Sequence, residues 1–237
     1  MLHSSTPLII GHRGAPTIAP ENTMLSFQKA WKLGVDMIEL DVQATKDGRL
    51  VVIHDYELSR LTSIEGYVGE MDYCELVQLD VGEGEQIPLL VDVLSWAKGK
   101  VKLNIEIKVP EIEHDSFQLV DDLGMLDFVL FSSFIQSVID KMKDMNPDAR
   151  TALLLNEIDQ SSIQKAKELN AIAINPLFFA MPENFVQDAH EAGLKVLPWT
   201  VNDRDIMLEL IEQGVDGIIT DLPDIALSAR LEFDKSQ

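Results

Sequence analysis

The chain has 237 residues, 46% of them apolar, which is enough to bury one large core at a size typical of single-domain α/β barrels. Forty acidic against 19 basic side chains leave a net charge of −21, which works against docking on nucleic-acid phosphates or anionic membrane surfaces, because both need a cationic face. A single cysteine, Cys74, excludes an intrachain disulfide and a cysteine-based zinc site. The first residues show neither the basic start nor the long apolar run of a signal peptide, and no apolar stretch approaches the ~20 residues of a membrane helix. The expectation is a cytoplasmic protein with no nucleic-acid partner and no stable membrane association, either monomer or homodimer.

Along the chain, short β-branched runs alternate with helical patterns. Leu8-Ile9-Ile10 leads into Gly11-His12-Arg13-Gly14, and a helix capped by Asn22 or Thr23 carries Met24, Phe27, Ala30 and Trp31 on one face before Gly34. Met37-Ile38-Glu39-Leu40-Asp41 is the second strand. Leu50-Val51-Val52-Ile53-His54 also reads as a strand, but the link Thr45–Arg49, with Lys46-Asp47-Gly48 at its centre, is too short for a parallel crossover. Asp-Gly in so short a link signals a hairpin, so this arm runs back antiparallel and returns His54 to the level of Glu39 and Asp41. Residues 56–88 are rich in Gly and Glu and read as a small insertion, followed by a helix at about 89–98. Strands follow at Val101–Lys108, Phe128–Ser132, Ala152–Leu155, Ala171–Ile174, Val196–Thr200 and Gly217–Thr220. Helices fall near Val138–Met145, 160–168, 182–192 and 203–213, and a polar tail from Leu231 is expected to fray. Eight strands separated by crossover-sized segments are the pattern of a closed (β/α)8 TIM barrel, taken as one domain over 1–237.

In such a barrel the chemistry sits at the C-terminal ends of the strands. The first strand ends in His12 and Arg13, the second in Glu39 and Asp41, the hairpin arm in His54 and Asp55, and the fourth segment in Glu106 and Lys108. Strand side chains alternate, so Glu39 and Asp41 share one face, as do Glu106 and Lys108. Three carboxylates converging without compensation would repel one another. A hard divalent cation, Mg²⁺ or Ca²⁺, removes that problem with oxygen-only ligands. The structural alternative is a buried ion-pair network joining Arg13 and Lys108 to the carboxylates. His3, His114 and His190 read as ordinary residues of the N-terminus, a polar loop and a helix. With His12 and His54 at the same rim, the set suits phosphoryl chemistry: cations on the non-bridging oxygens, one imidazole accepting a proton and the other donating one.

These residues resemble the glycerophosphodiester phosphodiesterase family. The likeness rests on His12-Arg13-Gly14, Pro20-Glu21-Asn22-Thr23, Glu39-Leu40-Asp41-Val42-Gln43, Thr45-Lys46-Asp47-Gly48, Val51-Val52-Ile53-His54-Asp55 and Arg60-Leu61-Thr62. Gly66, Ile87-Pro88, Asn104-Ile105-Glu106-Ile107-Lys108 and Trp199-Thr200-Val201-Asn202 extend it over nearly the whole chain. The resemblance implies a TIM barrel, a metal held by Glu39, Asp41 and Glu106, and acid–base catalysis by His12 and His54. It also implies Arg13 and Lys108 on the phosphate, Trp199 lining the substrate pocket, and hydrolysis of glycerophosphodiesters to glycerol 3-phosphate and an alcohol. The link Asp80–Gln86 is shorter than the insert relatives often carry. Two other functions compete: a lysophospholipase D-like activity on larger lipids, and a barrel that binds phosphodiesters without turnover.

Overall fold

The computed structural model describes residues 6–236, so His3 lies outside the described residues. The chain enters the barrel through β1 (Leu8–Gly11) and crosses through α1 (Met24–Leu33). Of the two candidate caps, Thr23 is the one used: its hydroxyl accepts from Ser26 N, and Gly34 closes the helix in the left-handed region at φ 93°. β2 (Met37–Ala44) then pairs antiparallel with β3 (Leu50–Val52), with Val42 opposite Val52 and Ala44 opposite Leu50. Ile53 N donates to Asp41 O at 2.9 Å, so the expected hairpin does return His54 to the level of the β2 carboxylates.

The stretch after β3 holds α2 (Tyr73–Leu76), capped reciprocally by Asp72 and Glu75. It gathers an apolar cluster of its own, in which Leu58, Val68, Leu76, Val81 and Ile87 pack on Val51 and Ile53 of the hairpin arm. The remaining elements alternate: α3 (Leu90–Ala97), β4 (Lys102–Ile107), α4 (Glu113–Asp122), β5 (Val129–Ser133), α5 (Gln136–Met145), β6 (Thr151–Leu155) and α6 (Ser162–Glu168). β7 (Ala173–Pro176), α7 (Phe185–Glu191), β8 (Lys195–Val196), α8 (Arg204–Glu212), β9 (Gly217–Thr220) and α9 (Pro223–Ser236) complete the chain.

The parallel strands run in the order β8-β7-β6-β5-β4-β2-β1-β9, and β3 hangs from β2. Backbone bonds close the ring between its ends: Asp216 N donates to Val196 O, Ile219 N to Pro198 O and Val201 N to Ile219 O, each at 3.0 Å. The architecture is the expected (β/α)8 barrel. Alternation splits the apolar side chains into two sets. Ile38, Leu40, Ile105 and Ile107 pack outward under the helices, while Ile10, Leu130, Ala152, Ala173 and Ile219 fill the interior.

Several sequence expectations need correction. Regular β8 spans only Lys195–Val196, shorter than expected, although backbone bonds to β7 carry on past it: Leu197 N donates to Ile174 O and Trp199 N to Pro176 O, each at 3.0 Å. β7 begins two residues later than expected and carries Asn175 inward, a polar residue inside an apolar run that masked the strand's end. His114 lies in α4, not a loop, and His190 is in α7 as expected. The tail from Leu231 does not fray: α9 runs to Ser236, Phe233 packs on the main core, and Arg230 donates to Pro7 O at 3.0 Å while pairing with Asp36.

Candidate active site

β2 and β4 lie side by side with Glu39 opposite Asn104 and Asp41 opposite Glu106, so the parallel register alone brings three carboxylates together at the barrel mouth. All three are buried, and one oxygen from each lies within 4.8 Å of the others. Arg13 Nε stands 3.4 Å from Asp41 Oδ2, Lys108 Nζ is 2.9 Å from Glu106 Oε1, and Asn22 Nδ2 donates to Asp41 Oδ2 at 2.8 Å. Arg13 N donates to Glu39 Oε2 at 2.9 Å.

That last contact depends on backbone geometry in the β1–α1 turn. Arg13 and Asn22 both take positive φ, 52° and 56°, and Gly14 sits at 94°. A Cβ on Gly14 would stand 2.3 Å from Ser26 Oγ, so the turn closes tightly enough for the Arg13 amide to face Glu39. The cations do not balance the carboxylates. Burial, then repulsion from Asp41 and Glu106, pushes Glu39 well above the usual carboxylate range. Burial and Asp41 likewise push Glu106 up to about 7. Burial also opposes ionisation of Asp41, but Arg13, Lys108, His54 and the Asn22 hydrogen bond outweigh it and hold that carboxyl below its ordinary value.

Glu39 Oε1 and Asp41 Oδ1 are buried without a hydrogen-bond partner, although Lys108 Nζ stands 3.5 Å from the latter. Buried oxygens of this kind are normally satisfied. An all-oxygen carboxylate triad whose ligand atoms gather within 4.8 Å, two of its residues holding unpartnered oxygens, matches a hard divalent cation, so these residues fit the expected metal.

Both histidines stand at this rim. His12 Nδ1 is 2.6 Å from Asp221 Oδ1, and His54 Nδ1 is 2.6 Å from Asp55 Oδ1. Both aspartates are held below the usual carboxylate range: burial opposes this, but His12 and Asn202 outweigh it at Asp221, as do Arg60 and His54 at Asp55. An ionised carboxylate only accepts, so each Nδ1 carries a proton toward its aspartate and each Nε2 is left as the ring atom free to exchange one. Burial pulls His54 below its ordinary value even though Asp41 opposes the shift. Asn202 fixes Asp221 by donating to its Oδ2 at 2.6 Å, while Arg60 pairs with both Asp55 and Glu21. Glu21 also pairs with Arg13 Nη1 at 2.9 Å, which ties the hairpin arm to the first turn.

A cavity of about 190 Å³ opens over this array, lined by all the expected residues except Asp41, which is fully buried beside it. Trp199 is fixed by a hydrogen bond from Nε1 to Asn175 O at 2.9 Å and meets Phe134 edge to face at 5.5 Å. Sequence reasoning missed Asp221, Asn22, Phe134, Asn104 and Ser132. Asp221 and Phe134 directly follow β9 and β5, so a complete survey of strand ends would have found them. Asn104 and Ser132 sit one alternation step deeper.

A profile of the glycerophosphoryl diester phosphodiesterase family matches residues 12–225. The chain is 37% identical to a glycerophosphodiester phosphodiesterase of Caldanaerobacter subterraneus over 93% of this chain and 96% of that one. Two solved structures share the fold. One is an Oleispira antarctica phosphodiesterase in complex with the product sn-glycerol-3-phosphate, at TM-score 0.87 and 29% identity over 94% of this chain and 96% of that chain. The other is a glycerophosphodiester phosphodiesterase from Agrobacterium tumefaciens, at TM-score 0.84 and 30% identity over 94% and 99%. Fold, site and sequence agree, and the chain belongs to the glycerophosphoryl diester phosphodiesterase family.

Proposed function

We propose that the protein hydrolyses glycerophosphodiesters, such as glycerophosphocholine, to glycerol 3-phosphate and a free alcohol, using a divalent metal and two histidines. The observation that carries this reading is the convergence on one cavity of two aspartate-oriented imidazoles and a buried carboxylate triad. Glu39, Asp41 and Glu106 would hold Mg²⁺ or Ca²⁺, which when bound supplies Lewis-acid polarisation of the phosphoryl group.

The chain's own residues do the rest. Arg13 and Lys108 face the phosphate as fixed cations; neither loses its proton, because the surrounding carboxylates outweigh the effect of burial and raise both. One imidazole accepts the nucleophile's proton at Nε2, and the other, entering the step protonated on both nitrogens, donates its Nε2 proton to the departing alcohol oxygen. The aspartates hold Nδ1–H of each ring, so Nε2 is the atom that gains or gives the proton. The nucleophile is water or the glycerol hydroxyl next to the phosphate, for which proximity replaces a bimolecular encounter. Trp199 and Phe134 form the apolar wall against which the substrate lies.

Purified protein given glycerophosphocholine with Mg²⁺ or Ca²⁺ is expected to release choline and glycerol 3-phosphate, and EDTA is expected to stop it. Release of phosphocholine would mean that the other ester bond is cut. Absence of turnover on any glycerophosphodiester with either metal would favour a phosphodiester-binding barrel.

A further inference from the structure

A second cavity, of about 370 Å³, adjoins the first, and His54 and Lys108 line both. The two have different walls. The barrel cavity is the smaller and falls below the roughly 300–1,000 Å³ of pockets that enclose drug-sized ligands. Its lining includes Asn104 and Ser132, each 1% exposed, whose side-chain polar atoms have no hydrogen-bond partner. Unpaired buried amide and hydroxyl groups suit the hydroxyls of a small polyol. The second cavity is built by the segment after the hairpin arm, from Asp55, Tyr56, Glu57, Ser59, Arg60 and Tyr67.

The charges of this second wall are unequally committed. Arg60 is paired with Glu21 and Asp55, and Lys108 with Glu106. Glu57 has no hydrogen bond or ion pair from its side chain among the described residues; only its backbone is bridged, to Tyr67. Tyr56 and Tyr67 are 53% and 52% exposed, unusual for large aromatic residues, and Tyr56 is pinned by its hydroxyl donating to Lys108 O at 3.0 Å. An uncommitted carboxylate beside two exposed tyrosines is the chemistry that receives an alkylammonium group: the rings attract a cation through their faces and Glu57 complements its charge.

We infer that the groove formed by Tyr56, Glu57 and Tyr67 is the leaving-alcohol subsite and that it selects diesters whose alcohol carries a cationic ammonium group. This rests on the phosphodiesterase reading. The glycerol end then occupies the barrel cavity, the phosphate lies beside Arg13 and Lys108, and the ammonium end crosses His54 into the groove.

The test compares kcat/KM for glycerophosphocholine with that for glycerophosphoglycerol, at one ionic strength, in wild type, Tyr67→Leu and Glu57→Gln. Each substitution is expected to lower the choline-to-glycerol selectivity ratio about 3- to 5-fold, mainly through KM for the choline diester, consistent with the modest strength of exposed cation–aromatic and ion-pair contacts. A readout without turnover is saturation transfer to the N-methyl protons of free choline, expected from wild type and reduced in Tyr67→Leu. Wild-type turnover of both diesters with an unmoved ratio in both variants would overturn the groove assignment, as would absence of transfer from wild type. Failure of wild type to cleave either diester would instead overturn the phosphodiesterase reading.

Discussion

His12 and His54 come from different strands, yet each meets a carboxylate at Nδ1 at the same 2.6 Å. For His54 the partner is its sequence neighbour. For His12 it is Asp221, 209 residues away at the end of the last strand, brought over because β9 pairs with β1. Such a partner is invisible to local patterning and legible only through the rule that barrel chemistry collects at strand ends. Glu39, Asp41 and Glu106 were legible for the opposite reason: charges at alternate positions between Ile38, Leu40, Ile105 and Ile107 break the apolar rhythm of their own strands. If the aspartate fixes the tautomer, Asp221→Asn lowers kcat roughly 10- to 100-fold with little change in KM, a part of the roughly 10²–10⁴ that general acid–base catalysis contributes. His12→Ala, which removes the proton carrier, loses the larger share of that range. Steady-state kinetics at saturating metal check both, and a His12→Ala enzyme with full activity would remove the role given to that ring.

Among the elements, the hairpin and the β1–α1 turn position the site. The hairpin was readable because a five-residue link cannot cross a sheet face, so the returning direction of β3 followed from length alone. The turn at Gly11–Gly14 was readable too, but its geometry was not, because its hydrogen bonds run between segments: Asn22 N donates to Arg13 O at 3.0 Å, and Ser26 Oγ donates to the same carbonyl at 3.0 Å. α4 and α9 were missed because charged residues interrupt their apolar positions, as Arg230 and Glu232 do between Ala229 and Phe233 in α9. Gly14→Ala tests the turn. With φ at 94° and Ser26 in the way, a methyl group there is expected to destabilise the fold by about 1–3 kcal/mol, read from urea unfolding. It also shifts the Arg13 amide away from Glu39. An alanine variant of unaltered stability would show that the turn relaxes freely.

At the scale of the molecule, buried negative charge and surface negative charge make separate demands. In the barrel mouth, cation binding would relieve the repulsion among Glu39, Asp41 and Glu106. Mg²⁺ or Ca²⁺ at about 100 times its dissociation constant stabilises by about 2.7 kcal/mol, which raises the melting temperature of a chain this size by roughly 5–10 °C. Asp41→Asn should lose that rise, and a wild-type melting temperature indifferent to both cations would count against the triad as a metal site.

Outside the mouth, the net charge of −21 sets a long-range field that any substrate crosses before reaching Arg13 and Lys108. The field distinguishes substrates by net charge. Glycerophosphocholine is zwitterionic and nearly indifferent to it, whereas glycerophosphoglycerol carries one uncompensated negative charge and is repelled. Screening reaches about 30 Å at 0.01 M salt and about 10 Å at 0.1 M, so added salt removes the distant repulsion while leaving the short contacts inside the cavity largely intact. With metal saturating, kcat/KM for glycerophosphoglycerol should therefore rise roughly 2- to 5-fold between those salt concentrations, while that for glycerophosphocholine stays nearly flat. A fall for the anionic diester would mean that the local cations, and not the surface, govern its approach.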